Sequence, residues 1–476
     1  MEAQKPIRLI NDAECSRWAD LVIQKRQQLL EWVSTIHPQK LACQIEDSLF
    51  HGSYNLGQKV TFSDGTKWLV RFPLFGHVSP KYADEKVAIE VVVMRLIGEK
   101  TTIPVPEIKH WGPAAENPLS LGPFIIMDFI EGVPLDSLLS NPNAEQHFRL
   151  IRGDISDDTI EVLYKQFAKI LLQLFQLDFD WIGSLPTLKT GFHVPIRPLT
   201  FKVHDILQTG GVNTFGDRSN GFLTTTEYFQ YVIEQDWKQL ITQPNSIYGE
   251  SNARTMYESL SALKTLIPGF IHPGYDCSRF KLICDDLSLA NVIVRSKEDF
   301  TIVGLIDLEW SYIGPAQLFS SAPWWLLGIR LNNVDTYYDK DYPEMAARFL
   351  KYLEIFKRVL EKEEERMSGN QGKELSKLVE WSEASGAMWL HMLLSCGFNH
   401  PENLPFVQLQ RHIGTEKWEQ LKRQFHGTEN AFVKEKLSQL AQYNRDEDRA
   451  FELKEDFDNG KMTREQFIAA LATLMV

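Results

Sequence analysis

The segment "ICDDLSLANVIV", Ile283 to Val294, sets two aspartates and an asparagine between apolar runs of the kind that build sheets. Burying an unpaired carboxylate costs several kcal/mol, on the order of the whole net stability of a domain. A chain that keeps Asp285 and Asp286 at the mouth of a buried hairpin therefore has to bring positive charge to them. Asp286 and Asn291 stand five apart, and Asp307 ends a later apolar run, "TIVGLI". One carboxylate to orient a hydroxyl, with an amide and a second carboxylate to hold a divalent cation, is the set that phosphoryl transfer requires.

The upstream half supplies matching parts. Between 48 and 73 the pattern predicts two antiparallel strands around the tight turn Asp64-Gly65, with "FHGSYNLG" at a hairpin tip. There Gly52, Ser53, Tyr54 and Asn55 would let backbone N–H groups approach phosphate oxygens. On the following strand Lys67, Leu69 and Arg71 share one face, which puts an apolar cover for a flat ring two residues before a cation. The helix predicted across "YADEKVAIEVVVMRLIGEK" carries Glu90 in an otherwise apolar turn, and an ion pair with Arg71 accounts for it. "TTIPVPEIKHWG" and "GPFIIMDFIEGVPLD" then resume extended structure.

Around this core, residues 1–45 read as a helical extension with Val22, Leu29, Leu30 and Val33 on one face. Beyond 131 helical periodicity dominates, interrupted by a Gly-, Pro- and Thr-rich stretch at 186–225 that reads as a long irregular insertion. Residues 401–476 read as a C-terminal helical extension, in which "EDFDNGKMTREQF" is one ligand short of a calcium loop and is a helix–turn–helix. The paired Trp324 and Trp325 suit a core better than a stacking platform.

A chain of 476 residues accommodates two or three packed units. Its net charge of -13 argues against nucleic acid as a partner. Five scattered cysteines, without CxxC or Cys/His spacing, indicate neither a zinc site nor a disulfide framework. With no apolar leader and no run near the ~20 apolar residues of a membrane span, the expectation is a cytoplasmic protein without a membrane partner.

Taken together, "HGSYN", "WLVRFP", "IPVPEI", "IIMDFIEG", "RPLT", "ICDDLSLANVIV" and "LIDLEWSYIGPAQLFSSAPWW" resemble segments of the aminoglycoside phosphotransferase family, in its large fungal branch, between Phe50 and Leu327. The resemblance implies an α+β, bilobal protein-kinase-like fold: a small antiparallel-sheet N-lobe at 46–130 and a large, mainly helical C-lobe at 131–400. It implies a hinge at "MDFIEG" whose Asp128, Phe129 and Ile130 backbone meets an adenine edge. ATP and Mg²⁺ would be the cofactors, Asp286 the catalytic residue, Asn291 and Asp307 the metal ligands, and a small hydroxylated molecule the acceptor. The chain departs from the family at Cys284-Asp285-Asp286, where His-Gly-Asp is usual, and at Arg71, where lysine is usual. These departures motivate a second expectation, a module that binds nucleotide without turnover. Asp285 and Glu309 remain candidates for substrate or metal binding.

Overall fold

Alternation in residues 43–73 produces three strands where the sequence pattern suggested two. The computed structural model describes residues 2–140, 149–321, 323–336, 340, 342–367 and 372–475, apart from the side chains of 46–48 and Trp324. Helices α1 (Lys5–Gln24) and α2 (Arg26–Ile36) lead into β1 (Cys43–His51), β2 (Asn55–Phe62) and β3 (Lys67–Pro73). The 52–54 turn joins the first pair of strands and Asp64-Gly65 the second. After α3 (Ala83–Lys100) come β4 (Ile108–Gly112) and β5 (Phe124–Asp128), and the five-stranded sheet has the order β1-β2-β3-β5-β4.

The period of two on β3 sorts its side chains. Trp68, Val70 and Phe72 are buried with Trp18, Val22, Leu29 and Val33 of the N-terminal helices, so the extension covers one face of the sheet. On the other face, Leu69 and Arg71 look onto a cleft. Gly132 marks the crossing into the large lobe: its φ is +150°, and an added Cβ would stand 2.4 Å from the Val294 carbonyl oxygen, a position that excludes any side chain.

The large lobe comprises β6 (Val133–Pro134), α4 (Leu135–Leu139), α5 (Asp157–Phe175), α6 (Phe201–Gly210), α7 (Thr225–Thr242), α8 (Glu250–Leu266), β7 (Lys281–Cys284), β8 (Val292–Val294), β9 (Ile302–Leu305) and β10 (Ser311–Gly314). It continues through α9 (Ala316–Phe319), α10 (Tyr342–Arg366), α11 (Glu374–Ala384), α12 (Ala387–Ser395), α13 (Leu404–Ile413), α14 (Thr415–Arg423), α15 (Asn430–Asp458) and α16 (Arg464–Ala472). The architecture is thus a bilobal α+β fold. Trp325 is core, stacked on Phe167 with ring centroids 4.2 Å apart; the Trp324 side chain lies outside the described residues.

Two expectations need correction. The stretch 186–225 is not wholly irregular, because α6 lies inside it: the Thr200 hydroxyl accepts from the Val203 amide at its start, and Gly211, at φ +68°, ends it. Thr and Gly, common in loops, are here a helix's two ends. The opening motif is not a hairpin either. β7 pairs with β10, whereas β8 pairs with β6 and β9, so Asp285 to Asn291 span a gap between two small sheets. At the C-terminus α15 and α16 form the expected helix–turn–helix, closed by a Thr463/Gln466 capping box and a 2.7 Å Lys461–Asp456 ion pair. The two terminal extensions also meet, with Leu9 and Ala13 of α1 buried against Leu453, Phe467 and Leu471. Among the described residues no helix is long and apolar enough to cross a membrane.

Candidate active site

The cleft between the lobes is a cavity of about 380 Å³. Gly52, Ser53, Tyr54, Asn55, Leu69 and Arg71 line it from the sheet side, Asp128, Phe129 and Ile130 from the crossing, and Asp286, Asn291 and Asp307 from the large lobe. Glu90, Asp285 and Glu309 are not part of this lining. Asp285 instead faces a separate cavity of about 130 Å³ beside Cys284, Tyr312 and Arg330.

At the 52–55 turn the Gly52 amide donates to the Asn55 carbonyl at 2.9 Å, and the Leu74 amide donates to the Tyr54 carbonyl at 2.9 Å. The Tyr54 ring packs edge-on against Trp310, 5.2 Å between centroids, which seats the turn on the large lobe. Leu69, Met127, Ile293 and Ile306 form an apolar slot in the cleft. At the crossing, the Asp128 amide donates to the Glu107 carbonyl and the Phe129 amide to the Lys67 carbonyl, both at 3.0 Å. Two of the three amides expected to meet an adenine edge are therefore engaged inside the lobe, which narrows that expectation to Ile130.

Acidic side chains converge below the slot. Asn291 Nδ2 donates to the Asp286 carbonyl at 2.9 Å, which occupies the amide nitrogen and keeps the amide oxygen for another partner. The Asp286 carboxylate stands 3.8 Å from Arg330, whose guanidinium also donates to the Asp285 carbonyl at 2.8 Å. Burial pushes both Asp285 and Asp286 up to about 6, against the pull of Arg330. Cys284 is half-buried, and desolvation pushes its thiol up to about 11, far from a nucleophile's range.

Asp307 follows β9 with φ +61°, a left-handed conformation that costs a non-glycine residue roughly 1 kcal/mol or more and is tolerated where surroundings hold it. Its Oδ1 accepts from the Arg71 guanidinium at 3.0 Å and from Asn55 Nδ2 at 3.3 Å. Arg71 is paired as well with Glu90, fully buried on α3. One helical turn before Glu90, Lys86 is fully buried and paired with Glu309.

Ligand oxygens of Glu90, Asp307 and Glu309 lie within 4.8 Å of one another. Three carboxylates face two cations, Arg71 and Lys86, which leaves one negative charge in excess. Asp307 bears the cost of this excess: burial and Glu309 hold its carboxyl well above the usual carboxylate range despite Arg71, which favours its protonated form while no cation faces it. Burial also raises Glu90 against the pull of Arg71, whereas for Glu309 it is overcome by Lys86 and Arg71. An oxygen-only donor set with surplus negative charge fits a hard divalent cation, and of the expected ligands both Asn291 and Asp307 line the cleft wall.

Lys86 and Arg330 stand in the site without belonging to any motif of the sequence. Lys86 carried a signal, being four residues before Glu90 and so on the same helical face. Arg330 carried none. Glu309, a candidate for substrate or metal binding in the sequence, is buried and paired with Lys86.

No family model and no curated protein matches the chain. Among solved structures it is similar to a macrolide 2'-phosphotransferase from Brachybacterium faecium, at 12% identity over 78% of this chain and 92% of that one, with a TM-score of 0.39. It is also similar to a microcompartment-associated aminopropanol kinase, at 12% identity over 85% and 93%, TM-score 0.38. An amicoumacin kinase in complex with AMP-PNP and Ca²⁺ is similar at 11% identity over 84% and 95%, TM-score 0.38. Likenesses this distant leave the functional reading to rest on the geometry of the cleft.

Proposed function

We propose that the protein transfers the γ-phosphoryl group of ATP to a hydroxyl of a small molecule. The observation that carries this reading is the convergence of Arg71, Asp286, Asn291 and Asp307 on one cleft with an unbalanced negative charge. Asp286 accepts the hydroxyl proton; a group near 6 beside a cation is charged enough at neutral pH to take it and basic enough to pull. Asn291 and Asp307 would hold Mg²⁺, which supplies neutralisation of the phosphate oxygens. Arg71, held by Glu90, presents a guanidinium to the same oxygens, and the 52–55 turn offers backbone amides above them. The apolar slot at Leu69 takes the adenine, whose edge meets the Ile130 amide. The five unpaired cysteines and the use of ATP suit a cytoplasmic setting.

A second reading, nucleotide holding without turnover, is favoured by one observation: Arg71 is bound to both Glu90 and Asp307. Thermal shift with ATP and Mg²⁺, followed by ADP release against a panel of amino alcohols, sugars and macrolides, separates the two. A shift with release supports transfer, and a shift alone supports the holder. Asp286→Asn is expected to keep the shift while losing about 10²–10⁴-fold in release. Equal loss of both would remove Asp286 from the chemistry.

A further inference from the structure

Lys86 has no role in the proposed transfer, yet it sits wholly buried at the back of the site. A buried lysine is costly, and replacing a buried ion pair by apolar residues of similar volume is often neutral or stabilising. Its retention here calls for a reason other than stability. Lys86 Nζ donates to Glu309 Oε2 and, at 3.0 Å, to Asn55 Oδ1, and it lies 5.5 Å from the centre of the Trp310 ring.

The contact with Asn55 decides how that amide is turned. With Oδ1 taken by Lys86, Nδ2 donates to Glu309 and to Asp307. The backbone carbonyl of the same Asn55 receives the Gly52 amide that closes the turn above the phosphates. One residue thus fastens the turn with its main chain and grips two carboxylates with its side chain. Helix α3, the 52–55 turn and the 307–309 segment meet at Lys86, although Lys86 and Glu309 are 223 residues apart in the chain.

We propose that Lys86 is a positioning residue: by orienting Asn55 and pinning Glu309 away from the cleft, it locks the phosphate-facing turn to the metal-side segment. The inference rests on the phosphotransfer reading for its purpose, though not for its test. Without Lys86, Asn55 loses the partner that fixes its amide, and Glu309 becomes a second carboxylate without its own cation beside Asp307, competing for Arg71.

Amide hydrogen exchange on the ligand-free protein tests the lock directly. In Lys86→Met, exchange in residues 51–57 is expected to rise about tenfold or more while β4 and β5 keep their protection, since local opening need not spread. Lys86→Met/Glu309→Gln, with charge removed from both partners, is expected to recover global stability and still show the fast turn, because the tie to Asn55 is gone. That double variant also serves if the single one fails to fold. A turn protected as in the parent, or a rise uniform across the lobe, overturns the proposal and leaves Lys86 as plain charge balance. The Mg²⁺ concentration that gives half of the ATP-induced thermal shift is expected to rise about tenfold in the double variant, a change that lost packing alone would not cause. If the parent shows no shift with ATP and Mg²⁺, the phosphotransfer reading falls while the exchange data still decide the lock.

Discussion

Two buried charge clusters in this protein are built from the same parts and balanced differently. In the helical lobe, Lys202 of α6 donates to Asp236 of α7 at 2.7 Å, and Asn399 Nδ2 approaches the other Asp236 oxygen at 3.4 Å. At the cleft, Lys86, Asn55 and Glu309 repeat the lysine, amide and carboxylate, but Arg71, Glu90 and Asp307 are added and one acid remains uncompensated. The first cluster is closed: one positive charge meets one negative charge, both nearly inaccessible. The second has one edge in the cleft, where Asp307 keeps 27% of its side-chain surface. A balanced buried pair joins two helices. An unbalanced one at a cleft wall suits a cation, and a bound cation would relieve the cost of holding the site empty.

The largest expected effect breaks the closed cluster. Lys202→Met leaves Asp236 buried without its cation, and removing one partner of a buried pair costs about 3–5 kcal/mol. Urea titration should show that loss in the midpoint, while the fraction still folded responds to ATP and Mg²⁺ as the parent does. If nucleotide response falls in proportion to more than the unfolded fraction, the two clusters are not separate devices.

A mid-sized effect concerns pH and a neutral buried group. His391 is held between Gln317 and Ser321 and is pushed down to about 3 by burial. An unfolded histidine titrates near 6.5, so below that pH the unfolded chain takes up a proton that the folded one refuses. Its contribution is fully present above about pH 6.5 and declines by about 1.4 kcal/mol per pH unit as pH falls toward 3. The acids Asp285 and Asp286, near 6 when folded, act in the opposite sense: the folded chain binds their protons first, which favours it as pH drops from about 6 toward about 4. Whole-protein curves mix the two, so the difference between parent and His391→Gln is the quantity to measure. Between pH 6 and 4 the variant's stability should fall less steeply, and parallel curves would assign the acid sensitivity elsewhere.

How much of the site could be read beforehand depended on sequence separation. Arg71 and Leu69 were legible because a strand's period of two is local, and Asp286 with Asn291 because they share one short loop, across which the Asn291 amide reaches back to the Asp286 carbonyl. The Arg71 to Glu90 pair was within reach because strand and helix follow each other. Glu309 was not, since its partner Lys86 lies 223 residues away and only the folded structure brings them together. Helix α6 was hidden by its own ends, Thr200 and Gly211, which are common in loops for the same reasons that they cap helices. The meeting of α1 with α16 was illegible because each helix shows an apolar stripe that names no partner.

The smallest effect is the one whose sign separates the two clusters. Asp307→Asn keeps an oxygen that accepts from Arg71 and Asn55, removes the surplus charge, and places at φ +61° a residue type that tolerates the left-handed region better than most. In the ligand-free protein, stability should stay level or rise by about 1 kcal/mol, because like-charge repulsion and the burial of an uncompensated carboxylate are relieved together. The response to ATP and Mg²⁺ should disappear at the same time, since the amide is a far weaker ligand for a hard cation. A loss of stability comparable to that of Lys202→Met would mean that Asp307 is the structural partner of Arg71, as Asp236 is of Lys202. Stability retained together with binding lost is the behaviour of a carboxylate kept for a ligand, a combination that Asp236, closed in by its lysine and amide, cannot produce.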